Sequence, residues 1–364
     1  MDDPLAQARA CFLAGLDAYE AGRLADADRQ FTAALALAPG RPSVLTNLGA
    51  VRLKLGRHAE ALALLREALA QEPDNAEALG HCAAALAERG EPTEALALFD
   101  RALALQPARA ALWTLRGSVL NELGRGPEAA ASFQQALEQG GDAELNAYYL
   151  AGLSRLPPPP GAPRHYVESL FDGYAHEFDA HLVQALRYDA PRRLTQRLAR
   201  AGRRYRQALD LGCGTGLCGP FLRELAGSVT GIDLSRNMLD RAQALGAYAT
   251  LLQADVTEYL AAAPEGFDLV IAADVFIYVG ALEQVFRHVS RVLPPGGTFC
   301  FSLEESQDGA ELALRSSLRY AHSEGYVRRL ALDNGLHLDA IERAPVREEQ
   351  RQPIPGLFMW LSKA

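Results

Sequence analysis

Through residues 8 to 143, small and apolar side chains recur at helical spacing and, over longer distances, at a fixed period of 34 residues. Ala27, Ala61, Ala95 and Ala129 form one column; Phe31, Leu65, Phe99 and Phe133 a second; Ala34, Ala68, Ala102 and Ala136 a third. Gly22, Gly56, Gly90 and Gly124 form a fourth, and Pro39, Pro73 and Pro107 a fifth. The columns predict four helix-turn-helix units. Alanines let paired helices approach, the aromatic or leucine fills the space between units, glycine turns the first helix into the second, and proline ends the unit. Gly141 stands where a fourth proline is expected, and a last helix from Ala143 to Leu153 is predicted to cap the stack.

The helical pattern stops at Leu156-Pro157-Pro158-Pro159-Pro160-Gly161-Ala162-Pro163, where consecutive prolines remove hydrogen-bond donors and favour an extended path. From Gln207 the pattern changes to short apolar runs alternating with helical ones. Ala208 to Leu211, Val229 to Ile232, a run ending at Gln253-Ala254-Asp255-Val256, Phe267 to Asp274, and Thr298 to Phe301 read as strands; Leu217 to Leu225 reads as a helix. Strands alternating with helices predict a parallel sheet. The expected organisation is therefore an all-α solenoid over 1–156, a stiff linker over 157–163, and an α/β domain over 164–364.

Composition narrows the class. A net charge of −9 disfavours nucleic acid as a partner, because counterion release needs clustered positive charge. The acidic start, Met1-Asp2-Asp3-Pro4, and the lack of a long apolar run lead us to expect a cytoplasmic protein with no membrane anchor. Five cysteines at unrelated spacings suit reduced thiols better than disulfides or a metal site, so no metal is expected.

The 34-residue columns resemble the tetratricopeptide repeat family, with Gly15, Gly49 and Gly117 at that family's early glycine position and Ala83 departing from it. The resemblance implies a concave surface formed by the first helix of each unit, here presenting Phe12, Tyr19, Asn47, Lys54, His81, Thr114, Ser118 and Asn121. A protein or peptide bound in that groove is the expected partner. The competing reading has the repeats pack on the α/β domain or on a second copy, which leaves a homo-oligomer open.

In the second half, Gly212-Cys213-Gly214-Thr215-Gly216 follows the first strand and opens a helix, so the backbone there can approach a ligand closely. Asp233 ends the second strand, where a carboxylate can accept both hydroxyls of a ribose. Glycines alone leave the ligand ambiguous, since Gly214-Thr215-Gly216-Leu217-Cys218-Gly219 also satisfies a dinucleotide fingerprint. Asp210, two residues ahead of Gly212, decides between them through the resemblance its string carries to class I methyltransferases: that family's acid lies near the methionine moiety of the cofactor, where a carboxylate would suit a cation and sit badly beside a pyrophosphate.

The string Asp210 to Gly216 resembles motif I of class I methyltransferases, which implies a Rossmann-like fold with a mostly parallel seven-stranded sheet and S-adenosylmethionine as cofactor. It further implies Asp210 near the methionine moiety, Gly212, Gly214 and Gly216 against the cofactor, Asp233 on the ribose, and Leu234 and Met238 beside the adenine. Asp255, with Val256, is implied to accept from the adenine amino group; Ala273 and Asp274 to open on the active site; and Tyr174 to reach the cofactor carboxylate from a preceding helix with Phe178 as an apolar lid. For Asp255 and Asp274 an ordinary helix N-cap is the rival role.

Methyl transfer from a sulfonium requires alignment and exclusion of water; a base is needed only if the acceptor arrives protonated. His322 is the first candidate base, with Tyr320, Tyr278 and Asp274 as alternatives, in a polar stretch Arg319 to Ser323 that, like Val346-Arg347-Glu348-Glu349, recurs in similar repeat-bearing bacterial methyltransferases. Three functions follow: a methyltransferase acting on a protein or peptide held by the repeats, a small-molecule O- or N-methyltransferase whose repeats serve assembly, and a non-catalytic cofactor-binding scaffold.

Overall fold

The computed structural model describes residues 3–154, 157–174, 187–307, 309–349 and 352–364. The chain forms two compact units, Met1–Leu153 and Ser154–Ala364.

The first unit is a run of helices: α1 (Pro4–Glu20), α2 (Leu24–Leu37), α3 (Pro42–Lys54), α4 (His58–Gln71), α5 (Ala76–Glu88), α6 (Pro92–Leu105), α7 (Ala110–Glu122), α8 (Gly126–Glu138) and α9 (Ala143–Gly152). The alanine and aromatic columns are completely buried between them. A Cβ placed on Gly15, Gly49 or Gly117 would lie 2.6–2.7 Å from Phe31, Leu65 or Phe133. Those glycines are therefore the sockets for the large column. The turn glycines Gly22, Gly56, Gly90 and Gly124 are left-handed, and the following N–H groups reach back to Ala18, Arg52, Leu86 and Leu120. This is the helix-ending motif a left-handed residue permits. Where the fourth proline is missing, left-handed Gly140 ends α8 in the same manner, with Gly141 N–H donating to the Ala136 carbonyl.

The second unit is an α/β layer structure. Strands β1 (Tyr205–Leu211), β2 (Ala226–Asp233), β3 (Thr250–Gln253), β4 (Leu269–Ala272) and β5 (Thr298–Glu305) pair in parallel in the order β3-β2-β1-β4-β5. The long hairpin of β8 (Leu336–Glu349) and β9 (Gln352–Lys363) adds to the far edge, with β9 antiparallel to β5. These seven strands form the expected mostly parallel sheet. Two short strands extend it: β6 (Leu312–Leu314) and β7 (Tyr320–His322) form a hairpin that pairs with the carboxyl end of β5 through Glu304 and Glu305.

Helices cover both faces. Leu209 and Leu211 lie in a core with α14 (Val256–Ala262), α15 (Glu283–Val292) and α16 (Glu324–Asp333), while Ala208 and Ile271 share the opposite core with α11 (Ala190–Arg200) and α12 (Gly219–Leu225).

The proline segment does not stand off as a spacer. Ala162 N–H donates to the Tyr278 carbonyl, Ala281 N–H donates to Pro160, and the Tyr320 hydroxyl donates to Pro159. Those bonds place residues 159–162 on the second unit, so its boundary falls after Leu153.

Candidate functional site

The carboxyl ends of β1, β2 and β4 converge on the glycine turn, the position at which open α/β sheets bind ligands. Gly212, Gly214 and Gly216 have φ values of 60°, 54° and 92°, a region that L side chains rarely enter. A Cβ on Gly212 would also lie 2.6 Å from Val275, just beyond β4.

Asp233 faces this turn. One carboxylate oxygen accepts from Gly214 N–H at 2.8 Å, and the other accepts from Ser235 N–H at 2.9 Å. Burial pushes its carboxyl up, while these N–H groups pull it back toward the charged form. Each oxygen keeps acceptor capacity for a hydroxyl.

Asp210 is 1% exposed and accepts from the Tyr248 hydroxyl at 2.7 Å. Burial pushes its carboxyl up to about 7, against the pull of that hydrogen bond, with Asp233 adding to the rise. Leu234 is half-buried beside Asp233, and Met238 is buried on α13 (Arg236–Ala244). Asp255 takes its rival role: Oδ1 caps α14 by accepting from Thr257 and Glu258 N–H groups, and Val256 packs into the core beneath.

The helix α10 (Arg164–Tyr174) packs against α13. Asp172 accepts from the Ser235 hydroxyl at 2.6 Å, and Phe171 meets the Tyr278 ring edge-on at 5.4 Å between centroids. Tyr174 ends this helix; its side chain, and the whole of Phe178, lie outside the described residues.

The end of β4 carries a buried ion cluster. Ala273 is half-buried there, and Asp274 has a left-handed φ of 59°, with its N–H bonded to the Ser302 hydroxyl. Asp274 receives two bonds from Arg347 Nη1, at 3.0 and 3.1 Å, so its second role is not an N-cap but an ion pair. The Arg347 side chain is 1% exposed and also donates to Glu304 and to Glu349. Arg315 joins through Glu304, and Arg319 through Glu349. Burial works against the Arg347 charge, but Asp274 and Glu304 outweigh it and hold the guanidinium above its ordinary value. Three carboxylates and three arginines leave this wall neutral.

His322 and Tyr320 sit elsewhere than the base role requires. Both are 0% exposed on β7. His322 Nε2 lies 2.7 Å from the Gly280 carbonyl, its ring stacks on Tyr326 at 5.9 Å, and burial lowers it to about 4. Tyr320 seats against Gly280, where a Cβ would come within 2.7 Å of its ring. Together they clamp the segment after β4 to the proline linker.

Sequence reasoning passed over Tyr248, Asp172 and the hub position of Arg347. Arg347 stood in a quoted polar stretch, but nothing local showed that three acids from β4, β5 and β8 meet on it.

Residues 209–301 match the family model described as "Methyltransferase domain", and residues 12–76 and 52–119 match models described as "Tetratricopeptide repeat". The chain thus carries tetratricopeptide repeats followed by a class I methyltransferase domain, the class whose cofactor is S-adenosylmethionine. A malonyl-[acyl-carrier protein] O-methyltransferase of Enterobacter lignolyticus is 32% identical over 37% of this chain and 54% of the relative. A ubiquinone biosynthesis O-methyltransferase of Methylococcus capsulatus is 30% identical over 38% of this chain and 65% of the relative. The chain spans about half the length of the first of these relatives. Among solved structures, the N-methyltransferase NodS of Bradyrhizobium japonicum matches 54% of this chain and 98% of its own, at 16% identity and a TM-score of 0.43.

Proposed function

We propose that this chain transfers the methyl group of S-adenosylmethionine to an oxygen of its acceptor, and that the acceptor oxygen is already ionised at neutral pH, a carboxylate first of all. The carrying observation for the cofactor is Asp233, whose two oxygens are aimed by backbone N–H groups across a turn of three left-handed glycines. That arrangement fits ribose hydroxyls accepted by one fixed carboxylate. When bound, S-adenosylmethionine supplies an activated methyl group on a sulfonium.

The acceptor assignment rests on the candidate bases. Asp274 is held by Arg347, His322 is engaged with Gly280, Tyr320 donates to Pro159, and burial pushes the Tyr278 phenol up. A nucleophile that brings its own charge needs none of them, and alignment then supplies the rate. The similarity to O-methyltransferases, one of which acts on a malonyl group carried by a protein, supports the same reading.

The repeats bind a protein or peptide that presents the acceptor. A second reading, in which the acceptor is a free small molecule and the repeats serve assembly, draws support from the groove's polar groups: Thr114 and Asn146 bond each other, Asn47 bonds Ser43, and Lys54 lies over the Tyr19 ring. Mass spectrometry of a lysate incubated with the full chain and isotopically labelled donor tests both readings. Label on a protein-borne, base-labile ester supports the first. Label on the methyl ester of a free small molecule, retained when residues 1–156 are deleted, supports the second, and label on nitrogen overturns the oxygen assignment.

A further inference from the structure

Tyr248 lies in the loop between α13 and β3, outside every motif the sequence displays, yet it touches each element of the cofactor turn. A Cβ on Gly216 would come within 3.0 Å of its ring, and one on Gly219 or Gly231 within 2.8 Å. Those glycines belong to the turn, to the start of α12 and to β2. Three separate elements thus leave room for this ring, which shares the space with Leu245 at Gly216, Ala247 at Gly219 and Leu251 at Gly231. Its hydroxyl then reaches Asp210 at the end of β1, where the carboxylate is buried. The loop itself is fixed because Ala249 N–H donates to the Val229 carbonyl.

We propose that Tyr248 is a positioning residue of the cofactor site: its ring is the floor of the glycine turn, and its hydroxyl holds Asp210 as the negative group that favours a sulfonium over an uncharged thioether. This rests on the donor assigned above. The chemistry of the pair supports it. A phenol donating to a buried carboxylate stabilises the charged form, and without that bond little opposes the rise that burial imposes. Among the described residues, the other titratable groups facing Asp210 are Asp233, Tyr188, Cys213, Cys218 and Cys300. Asp233 disfavours the Asp210 charge, and burial keeps the phenol and thiols neutral, so among these described groups it is the hydroxyl of Tyr248 that helps.

The test is calorimetric binding of S-adenosylmethionine and S-adenosylhomocysteine to the full chain, in the natural protein and in Tyr248→Phe and Asp210→Asn. Tyr248→Phe is expected to lose about 10-fold in affinity for the sulfonium at pH 7 and less than about two-fold for the thioether, the size of one charge-assisted hydrogen bond. Raising the pH should restore the loss, because Asp210 then ionises without help. In Asp210→Asn, adding Tyr248→Phe should change the ratio of the two affinities no further. Equal losses for both ligands would mark Tyr248 as a packing residue and overturn the proposal, as would no loss for either. If the natural protein binds neither ligand, the assigned donor fails first, and this proposal with it.

Discussion

The two halves bury polar groups in opposite ways. Among the described residues of the repeat half, the buried polar side chains are Thr46, Ser132 and Asn146, all uncharged, within a core of alanine, leucine and phenylalanine. The methyltransferase half buries Asp210, Glu304, His322 and Arg347. The first is held by a shape that recurs four times, and the second by interactions that occur once. A repeat can absorb a fault locally, since each unit contacts its neighbours only. A hub that answers three carboxylates has no second copy.

The largest effect follows from that hub. Arg347→Met should destabilise the second half by about 3–5 kcal/mol, because Asp274 and Glu304 stay buried without their counter-charge. Denaturant titration with a probe in each half should show the loss in the second transition alone. An unchanged second transition would mean the cluster is solvated, and the contrast between the halves would collapse. Next is Asp233→Ala, which removes a charged acceptor from the turn and should weaken S-adenosylmethionine binding by about 1.5–3 kcal/mol, leaving the repeats untouched. Equilibrium binding reads this directly.

A smaller effect is expected in the repeats. Ala61→Leu or Ala95→Leu should cost about 1–3 kcal/mol, since both sites are fully buried between helices with no room for added carbons. Melting of the first half at its original temperature would contradict the register of the columns.

The smallest effect is in pH dependence. His322 is lowered from 6.5 to about 4, so the unfolded chain takes up its proton first; its contribution is present above pH 6.5 and is lost as pH falls toward 4. Asp210 is raised from 3.8 to about 7, so its contribution is present below pH 3.8 and is lost as pH rises toward 7. The two oppose each other across that window. Relative to the natural protein, His322→Gln should gain melting temperature as pH falls from 6.5 to 4.5, and Asp210→Asn should lose it. Parallel curves for all three proteins would show that neither group is buried as described.

How much could be read in advance follows the same division. The repeats were legible because self-similarity reports tertiary contacts directly: a column of glycine at 15, 49 and 117 faces a column of large residues at 31, 65 and 133. The first five strands of the second half were legible from apolar runs, and Asp233 from its distance to the glycine turn; β6 to β9 were not, because polar residues such as Arg319 and Arg347 interrupt or flank them. Asp255 was only half legible, because a carboxylate at a strand end serves a helix cap and a ligand equally well, and here Oδ1 serves the cap. His322 was misread for a physical reason. Its ordinary pKa made it the natural base, but burial beside Gly280 turns it into a neutral clamp. Tyr248 had no local mark at all; its trace in the sequence is the absent side chains at Gly216, Gly219 and Gly231.

The central claim is that the second half is an S-adenosylmethionine site, built on Asp233 and the glycine turn, and not a dinucleotide site. Isothermal calorimetry of the full chain against S-adenosylmethionine and against NAD tests it most directly. The account predicts one S-adenosylmethionine bound per chain, with affinity reduced by about 10- to 150-fold in Asp233→Ala, and no heat from NAD. Binding of NAD without S-adenosylmethionine, or S-adenosylmethionine binding indifferent to Asp233, would contradict it.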